Sequence, residues 1–259
     1  MNSDSNQPER RDRGDCPGKL FVVGIGPGNI LDRTPRAEQA IRASRVIAGY
    51  SPYLASIADL TEGKLCISTG MTREEERVQA AIEQALQGET VAIISSGDAG
   101  VYGMAGLAIE MAHHLAPGLS IEIIPGISAA NSAAAALGAP LMLDYAVISL
   151  SDLLVPWEQI RGRLEAVSSV DMVVALYNPR STKRVTQLEE AVAIFLKHRP
   201  VSTPVGIGTA ISSPDQRLVM TDLGSLLAQD VNMRSIVIIG NTQSKVIDGH
   251  FVTPRGYQL

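Results

Sequence analysis

The chain has 259 residues and a net charge of −5, because 22 Lys and Arg residues stand against 27 Asp and Glu residues. This acidic balance and an aromatic content of 4% argue against a nonspecific nucleic-acid binder with base-stacking platforms. The sequence contains no run of about 18 apolar residues, so it predicts no membrane span. The N-terminal MNSDSNQPER lacks the apolar core of a secretory signal.

The N-terminal tail and the cysteines set two further expectations. Residues 1–17 are polar and charged, and we expect them to form a disordered tail. The two cysteines, Cys16 and Cys66, have no CxxC spacing, which disfavours a disulfide framework and a structural metal site. We therefore expect no bound metal and a location in the reducing cytoplasm.

In the first half of the chain, short apolar runs alternate with helical patterns. Thr72 and Glu75 have the spacing of a capping box at the start of one predicted helix. This alternation is typical of a mostly parallel sheet. The predicted strands are 20–25, 90–95 and 121–126, and the predicted helices are 34–44, 72–88, 101–115 and 127–137.

The second half of the chain has a different order of predicted strands and helices. Three strands follow one another within 204–240, which indicates antiparallel pairing. We predict an α/β fold with two α/β domains, 18–142 and 143–259, that meet near a boundary segment at 139–145. The predicted strands are 145–150, 171–177, 204–210, 216–222 and 235–240, and the predicted helices are 156–167, 182–199 and a short one at 224–229.

Glycine-rich loops follow several predicted strands. The first, GIGPG at 24–28, lacks the third glycine of a dinucleotide fingerprint because residue 29 is Asn. Pro27 also removes a backbone N–H that would bind phosphate. The loop is therefore either a tight turn or a place where a ligand approaches the backbone.

Four further loops offer polar groups at strand ends, and the sequence leaves their roles open. Asp98, in SSGDAGVYG at 95–103, either binds a ligand or caps the next helix. Ser128, in IPGISAA at 124–130, is either a plain N-cap or part of a ligand site. Asn178 precedes Pro179 in LYNPRS, which predicts an extended Asn178. Together with GIGTA at 206–210, these loops indicate a long, backbone-lined cleft for a flat or extended small molecule.

These motifs in this order resemble the tetrapyrrole methylase family. The resemblance rests on GIGPG at 24–28, SSGDAGVYGMAG at 95–106, IPGISAANSAAA at 124–135 and VGIGTA at 205–210. It implies two α/β domains with an active-site cleft between them, S-adenosylmethionine (SAM) as methyl donor, a tetrapyrrole substrate and a homodimer. The cofactor-binding residues implied by the motifs are Pro27, Ser96, Gly97, Asp98, Val101, Ser128, Ala129, Asn178 and Gly208.

A narrower likeness is to the family members that methylate carbon 17 of precorrin-3B in cobalamin biosynthesis and contract the ring. It rests on GYSPYL at 49–54, SLSDLLVPWEQI at 149–160, LYNPRS at 176–181 and HFVTPRGY at 250–257. Members that act on cobalt-factor III, members that methylate another corrinoid ring carbon, and a corrinoid-binding regulator without activity stay open as alternatives.

Ring contraction moves protons, and the precorrin carries several carboxylates, so the likeness implies two further sets of residues. The catalytic candidates have the alternative role of hydrogen-bonded structural residues, and the charged substrate-binding candidates that of surface charge. The candidates for acid–base catalysis are Tyr50, Tyr53, Ser151, Asp152 and His250, and those for substrate binding are Gly26, Arg33, Arg36, Arg180, Lys183 and Arg255.

Overall fold

The computed structural model describes residues 18–258 and divides the chain into two compact units. Unit 1 comprises residues up to 23 together with 35–95 and 103–124, and unit 2 comprises 24–34, 96–102 and the chain from 125 onward. The predicted tail, 1–17, lies outside the described residues, and the predicted domain boundary between residues 142 and 143 stays a prediction.

Unit 1 is built on a five-stranded sheet with the strand order β3-β2-β4-β1-β5. The pairs β1–β5, β2–β3 and β2–β4 are parallel, as expected from continuous apolar runs joined by helices. The strands are β1 (Lys19–Gly24), β2 (Val46–Tyr50), β3 (Leu65–Thr69), β4 (Thr90–Ser95) and β5 (Ser120–Ile124). The helices are α1 (Pro35–Ala43), α2 (Ser51–Ala55), α3 (Glu74–Leu86) and α4 (Ala105–Leu115).

Unit 2 contains a second five-stranded sheet, with the order β10-β9-β11-β8-β7, and a small three-stranded sheet, β12-β13-β6. Its helices are α5 (Ala129–Leu137), α6 (Trp157–Ser169) and α7 (Gln187–Phe195). The strands are β6 (Gly138–Ala139), β7 (Tyr145–Ser149), β8 (Val173–Tyr177), β9 (Pro204–Thr209), β10 (Arg217–Asp222), β11 (Ser235–Ile239), β12 (Lys245–Ile247) and β13 (His250–Val252). Short 3-10 helices cover Ile30–Asp32, Ala58–Leu60 and Leu226–Ala228.

The second sheet has a separate apolar cluster on each face. Leu176 of β8 joins the cluster of α6 and α7, whereas its neighbour Ala175 joins the cluster of α5, because successive side chains of a strand point to opposite faces. Gly206 of β9 lets α5 pack closely, since a Cβ there would lie 2.6 Å from a methyl group of Leu137. Close packing of α5 on this face therefore depends on the absence of a side chain at Gly206.

Most predicted elements are present, and the prediction of an α/β fold is confirmed. Antiparallel pairing within 204–240 is also confirmed, because β9 pairs antiparallel with both β10 and β11. The short helix predicted at 224–229 is a single 3-10 turn, Leu226–Ala228. Strands β2, β3, β6, β12 and β13 and helix α2 were not predicted.

Two predictions about helix ends are wrong. The capping box of Thr72 and Glu75 does not form, because α3 begins at Glu74 and Thr72 has a φ of 63°. The Thr72 hydroxyl donates to the carbonyl of Met71 instead. The helix predicted over 182–199 is limited to Gln187–Phe195, since the Ser181 hydroxyl accepts from the backbone N–H groups of Lys183 and Arg184 and folds that segment into a turn.

Candidate functional site

Three strand-end loops of the first half of the chain belong to unit 2 and meet there through their backbones. Gly26 and Gly97 exchange two hydrogen bonds, with N···O distances of 3.0 and 2.8 Å. A Cβ on Gly126 would lie 2.2 Å from the carbonyl oxygen of Gly97 and 2.7 Å from the carbonyl carbon of Gly24. Gly24 and Gly126 are therefore required because backbone packs directly on backbone at both positions.

Asp98 fastens two of these loops together. Its carboxylate accepts from the Gly100 N–H at 2.8 Å and from the Gly126 N–H at 3.0 Å. Helix α4 begins only at Ala105 and has no side-chain cap, so Asp98 does not cap that helix. Charge-assisted bonds of this kind are stronger than neutral ones, and they hold the loop after β4 against the loop after β5.

The N-terminus of α5 presents one backbone donor to a ligand. The Ser128 side chain accepts from the Asn131 N–H at 3.3 Å, and the Ala130 N–H donates to the Tyr177 hydroxyl at 2.9 Å. The Ala129 N–H has no hydrogen-bond partner among residues 18–258. A Cβ on Gly97 would lie 3.7 Å from this nitrogen, so the missing side chain at residue 97 leaves the donor approachable.

Two tyrosines that the sequence analysis missed lie beside this helix terminus. The rings of Tyr102 and Tyr177 are 5.2 Å apart, and burial raises the pKa of both phenols above the ordinary value. The Tyr102 hydroxyl donates to the Val147 carbonyl at 3.2 Å and accepts from the Ser149 N–H at 2.9 Å. Tyr102 ties the loop after β4 to strand β7, and its φ of 53° is uncommon for an aromatic residue.

Asn178, at the end of β8, has a φ of 50°, so the prediction that it is extended before Pro179 is wrong. Its side-chain amide donates to the Ser149 hydroxyl at 3.0 Å, and its carbonyl accepts from Nε of Arg184 at 3.1 Å. These two bonds offset the steric cost of a left-handed residue before proline. The residue type is itself a signal for this conformation, since Asn is one of the residues that adopt it most readily.

The remaining predicted cofactor residues also lie in unit 2. Ser96 and Val101 are half-buried in the loop after β4, and Pro27 is half-buried in the loop after β1. Gly208 is buried in β9, where a Cβ would meet the side chain of Ile211 at 2.5 Å. All nine predicted cofactor residues thus fall in one unit, although they come from five segments of the chain.

The predicted catalytic residues fall into three groups. Tyr50 and Tyr53 pack edge to face in unit 1, with ring centroids 5.2 Å apart, and burial is the main cause that raises the pKa of Tyr53. Ser151 and Asp152 lie after β7 in unit 2, where Asp152 accepts from the Gln187 amide at 2.8 Å. His250 is exposed at the start of β13.

The predicted substrate-binding arginines have different surroundings. Arg33 is 8% exposed in unit 2, whereas Arg36 lies in unit 1 and forms an ion pair with Glu122 at 2.7 Å. Arg180 has an ion pair with Glu189 at 3.4 Å, and its Nε is buried without a hydrogen-bond partner. Lys183 and Arg255 are exposed.

Two other kinds of site are absent from residues 18–258. No group of three or more metal-ligating side chains occurs in that part of the chain. Within the same range, no helix is both long and apolar enough to cross a membrane.

Comparisons with known proteins place these motifs. The profile of the Tetrapyrrole (Corrin/Porphyrin) Methylases matches residues 19–227. The Cobalt-factor III methyltransferase of Priestia megaterium is 48% identical over 93% of this chain, which spans 45% of that protein's length. The Precorrin-3B C(17)-methyltransferase of a Sinorhizobium species is 38% identical, with 93% of this chain and 97% of that protein covered.

A solved structure agrees with the sequence matches. The crystal structure of the methyltransferase CobJ superposes with a TM-score of 0.86 and 34% identity, over 92% of this chain and 100% of that one. The loop motifs, the fold and the profile match all identify the same group of proteins. The chain therefore belongs to the tetrapyrrole (corrin/porphyrin) methylase family.

Proposed function

We propose that this chain is a SAM-dependent C-methyltransferase of cobalamin biosynthesis that methylates carbon 17 of a corrin precursor and contracts its ring. The observation that carries the proposal is similarity over nearly the whole chain to proteins named for this C(17) methylation or for methylation of cobalt-factor III. Family membership supplies the use of SAM, and the specific motifs at 49–54, 149–160 and 250–257 supply the position on the ring.

The methyl donor fits the donor set of unit 2. The residues proposed to hold it are mostly small, and the groups they offer are largely backbone N–H and C=O. The Ala129 N–H is available at a helix N-terminus, where polar and anionic groups bind favourably. The proposed contacts are Pro27, Ser96, Gly97, Asp98, Val101, Ser128, Ala129, Asn178 and Gly208.

SAM supplies an electrophilic methyl group on a sulfonium, and the attacking atom is an electron-rich carbon of the substrate. The protein therefore needs no strong nucleophile of its own, and its contribution is to orient the reactants and exclude water. The loops locked by Asp98 and by the Gly26–Gly97 pair provide rigid positions for this purpose.

Ring contraction requires proton transfer, and we propose Tyr53 as one donor. A phenol carries its proton at neutral pH, and burial, which raises the pKa of Tyr53, makes it a weaker acid that donates only to a strongly basic atom of the substrate. Tyr50, Ser151, Asp152 and His250 remain candidates for the other proton transfers.

The carboxylates of the substrate require cationic partners, and we propose Arg180 as one of them. Its guanidinium forms a long ion pair with Glu189, at 3.4 Å, which a substrate carboxylate would replace or supplement. Arg33, Arg36, Lys183 and Arg255 are proposed as further partners, with the Gly26 backbone beside the reacting ring.

Two substrates are candidates, and they differ in whether cobalt is present. Precorrin-3B is favoured by the specific motifs, whereas cobalt-factor III is favoured by identity, since the relative named for it is 48% identical and the one named for precorrin-3B is 38% identical. In addition we propose that the protein is cytoplasmic and forms a homodimer. Sedimentation at micromolar concentration tests the dimer.

Mass spectrometry of parallel reactions tests the proposed function. The purified chain is incubated with SAM and either precorrin-3B or cobalt-factor III. A gain of one methyl group with the spectral change of ring contraction is expected from one of them, and that substrate assigns the branch. If SAM binds and neither compound is methylated, the proposed function is wrong.

A further inference from the structure

A closed ring of hydrogen bonds joins the end of β7 to the loop after β8. Arg184 Nε donates to the Asn178 carbonyl at 3.1 Å, and the Asn178 amide donates to the Ser149 hydroxyl at 3.0 Å. The Ser151 N–H donates to the same hydroxyl at 3.1 Å, and Arg184 Nη1 closes the ring on the Ser151 hydroxyl at 3.4 Å. Arg184 thus bridges two segments that are about 30 positions apart in the chain.

The ring leaves two polar groups unused. The Ser149 oxygen accepts twice within the ring, and its O–H has no acceptor among residues 18–258. The Asn178 side chain uses its N–H₂ group, and its Oδ1 has no donor within the same residues. Both residues are half-buried. An O–H donor and a C=O acceptor therefore lie next to each other on residues that the ring of hydrogen bonds holds in place.

The backbone conformation of Asn178 explains why this ring of hydrogen bonds is needed. A φ of 50° before a proline is sterically unfavourable, and the direction of the side chain follows from that φ. The Arg184 bond to the Asn178 carbonyl is the contact that fixes the peptide plane on the proline side. Without it, Asn178 would relax toward an extended conformation and turn its Oδ1 away.

We propose that Arg184 is a positioning residue, which holds Asn178 so that its Oδ1 accepts a hydrogen bond from an N–H group of the methyl donor. This inference rests on the proposed function, and it adds Arg184 and Ser149 to the residues on which donor affinity depends. SAM offers two kinds of N–H group, the adenine amino group and the α-ammonium group, and either is the chemistry that a lone amide oxygen accepts.

Isothermal titration calorimetry with S-adenosylhomocysteine tests the proposal without any corrin substrate. We expect Arg184→Met to weaken binding by about tenfold, which is the usual effect of one lost hydrogen bond with its orientation. Arg184→Lys should recover part of the affinity, because the Lys ammonium still donates hydrogen bonds but its donors lie on one nitrogen and cannot span the two acceptors as the guanidinium does. The exposed Arg161 of α6 supplies the matched control, since Arg161→Met removes the same group and should bind as the wild type does.

A double-mutant cycle separates positioning from a general structural effect. Asn178→Gly keeps the positive φ without steric cost and removes the amide, so it should also weaken binding by about tenfold. In that background Arg184→Met should have little further effect. Equal tenfold losses that multiply in the double variant would overturn the proposal, and so would wild-type affinity in Arg184→Met.

Two comparisons complete the test. Repeating the cycle with 5′-methylthioadenosine, which lacks the α-ammonium group, assigns the N–H donor: coupling that persists indicates the adenine amino group, and coupling that disappears indicates the ammonium. If the wild-type protein does not bind S-adenosylhomocysteine, the proposed function fails together with this inference. Binding by the wild type with no coupling overturns the positioning role alone.

Discussion

The strands of the first sheet end in two different kinds of loop. The loops after β1, β4 and β5 group with unit 2, and they are glycine-rich and contact one another backbone to backbone. The ends of β2 and β3 stay in unit 1 and carry side-chain chemistry instead. There the buried Arg77 donates to the Thr69 hydroxyl at 2.8 Å and to the Gly70 carbonyl at 3.1 Å.

The two kinds of loop carry residues with different predicted roles. Every residue predicted to bind the methyl donor lies in unit 2, whereas Tyr50 and Tyr53 lie in unit 1 next to Thr69, which pairs with Tyr50 in the strand register. Backbone-lined loops suit a ligand recognised by shape and polar edges, and tyrosines suit proton transfer. Variants of the two groups should therefore affect different steps.

The largest effect is expected from Gly126→Ala, in the backbone-packed group. The new Cβ would lie 2.2 Å from the Gly97 carbonyl oxygen, so the loops must separate and the Asp98 bond to the Gly126 N–H is lost. We expect a destabilisation of about 2–3 kcal/mol and loss of measurable S-adenosylhomocysteine binding. Urea unfolding and calorimetry measure the two quantities.

The control for that variant is Gly162→Ala on α6, where a Cβ would meet nothing within 4 Å. It should keep full binding and gain about 0.5–1 kcal/mol of stability, because Ala favours a helix. If Gly126→Ala binds as tightly as Gly162→Ala does, close backbone packing is not what forms the donor site.

A smaller and more selective effect is expected from Tyr53→Phe in the tyrosine group. Removal of the hydroxyl should lower the turnover number by about 100-fold if this phenol handles a proton, while the affinity for S-adenosylhomocysteine stays unchanged. Because burial and Tyr50 raise the pKa of Tyr53 and Arg77 only partly opposes them, the wild-type rate should show no titration of this group below pH 10. Single-turnover kinetics from neutral pH to pH 10 measure the loss of turnover in the variant and the pH dependence of the wild-type rate.

A matched loss of donor affinity in Tyr53→Phe would contradict the division between the two groups. Tyr50→Phe provides the comparison within the cluster, because its ring contacts Tyr53 edge to face. Turnover that falls for Tyr53→Phe alone would identify the proton-handling phenol.

The sequence predicted the fold and the family well, because both depend on periodic patterns and on glycines whose spacing is local. Strand 90–95 was predicted at its observed bounds. Strands β2 and β3 were missed because each is only five residues long, and because the residues of β3 are mostly exposed and form no apolar run. The site residues remain predictions, supported by the way in which the loops come together.

The parts that the sequence could not predict depend on contacts between distant segments. Arg184 lies close in sequence to Arg180 and Lys183, and only the fold places it against Asn178 and Ser151. Asn178 was predicted to be extended from its proline neighbour alone, and the tertiary bonds override that local preference. Tyr102 and Tyr177 lie 75 positions apart, and no local pattern pairs their rings.

The smallest expected effect concerns Arg36, which follows the loop after β1 and returns the chain to unit 1. Glu122 of β5 accepts from Lys19 at 2.5 Å and from Arg36 at 2.7 Å, and these hydrogen bonds lower the pKa of the Glu122 carboxyl below its ordinary 4.5. A lowered folded-state pKa adds stability above the ordinary value, and this contribution is lost as the pH falls through the lowered pKa. Glu122→Gln should therefore reduce the Tm by on the order of 2 °C at neutral pH.

The pH dependence distinguishes this ion pair from a packing effect. The Tm difference between wild type and Glu122→Gln should shrink toward zero in strongly acidic buffer, because the wild-type carboxyl is then protonated as well. Glu110→Gln on α4 removes an exposed carboxylate that has no ion pair among residues 18–258 and should leave the Tm unchanged at both pH values. A Tm difference that persists in acid would mean that Glu122 contributes by packing and not through its charge.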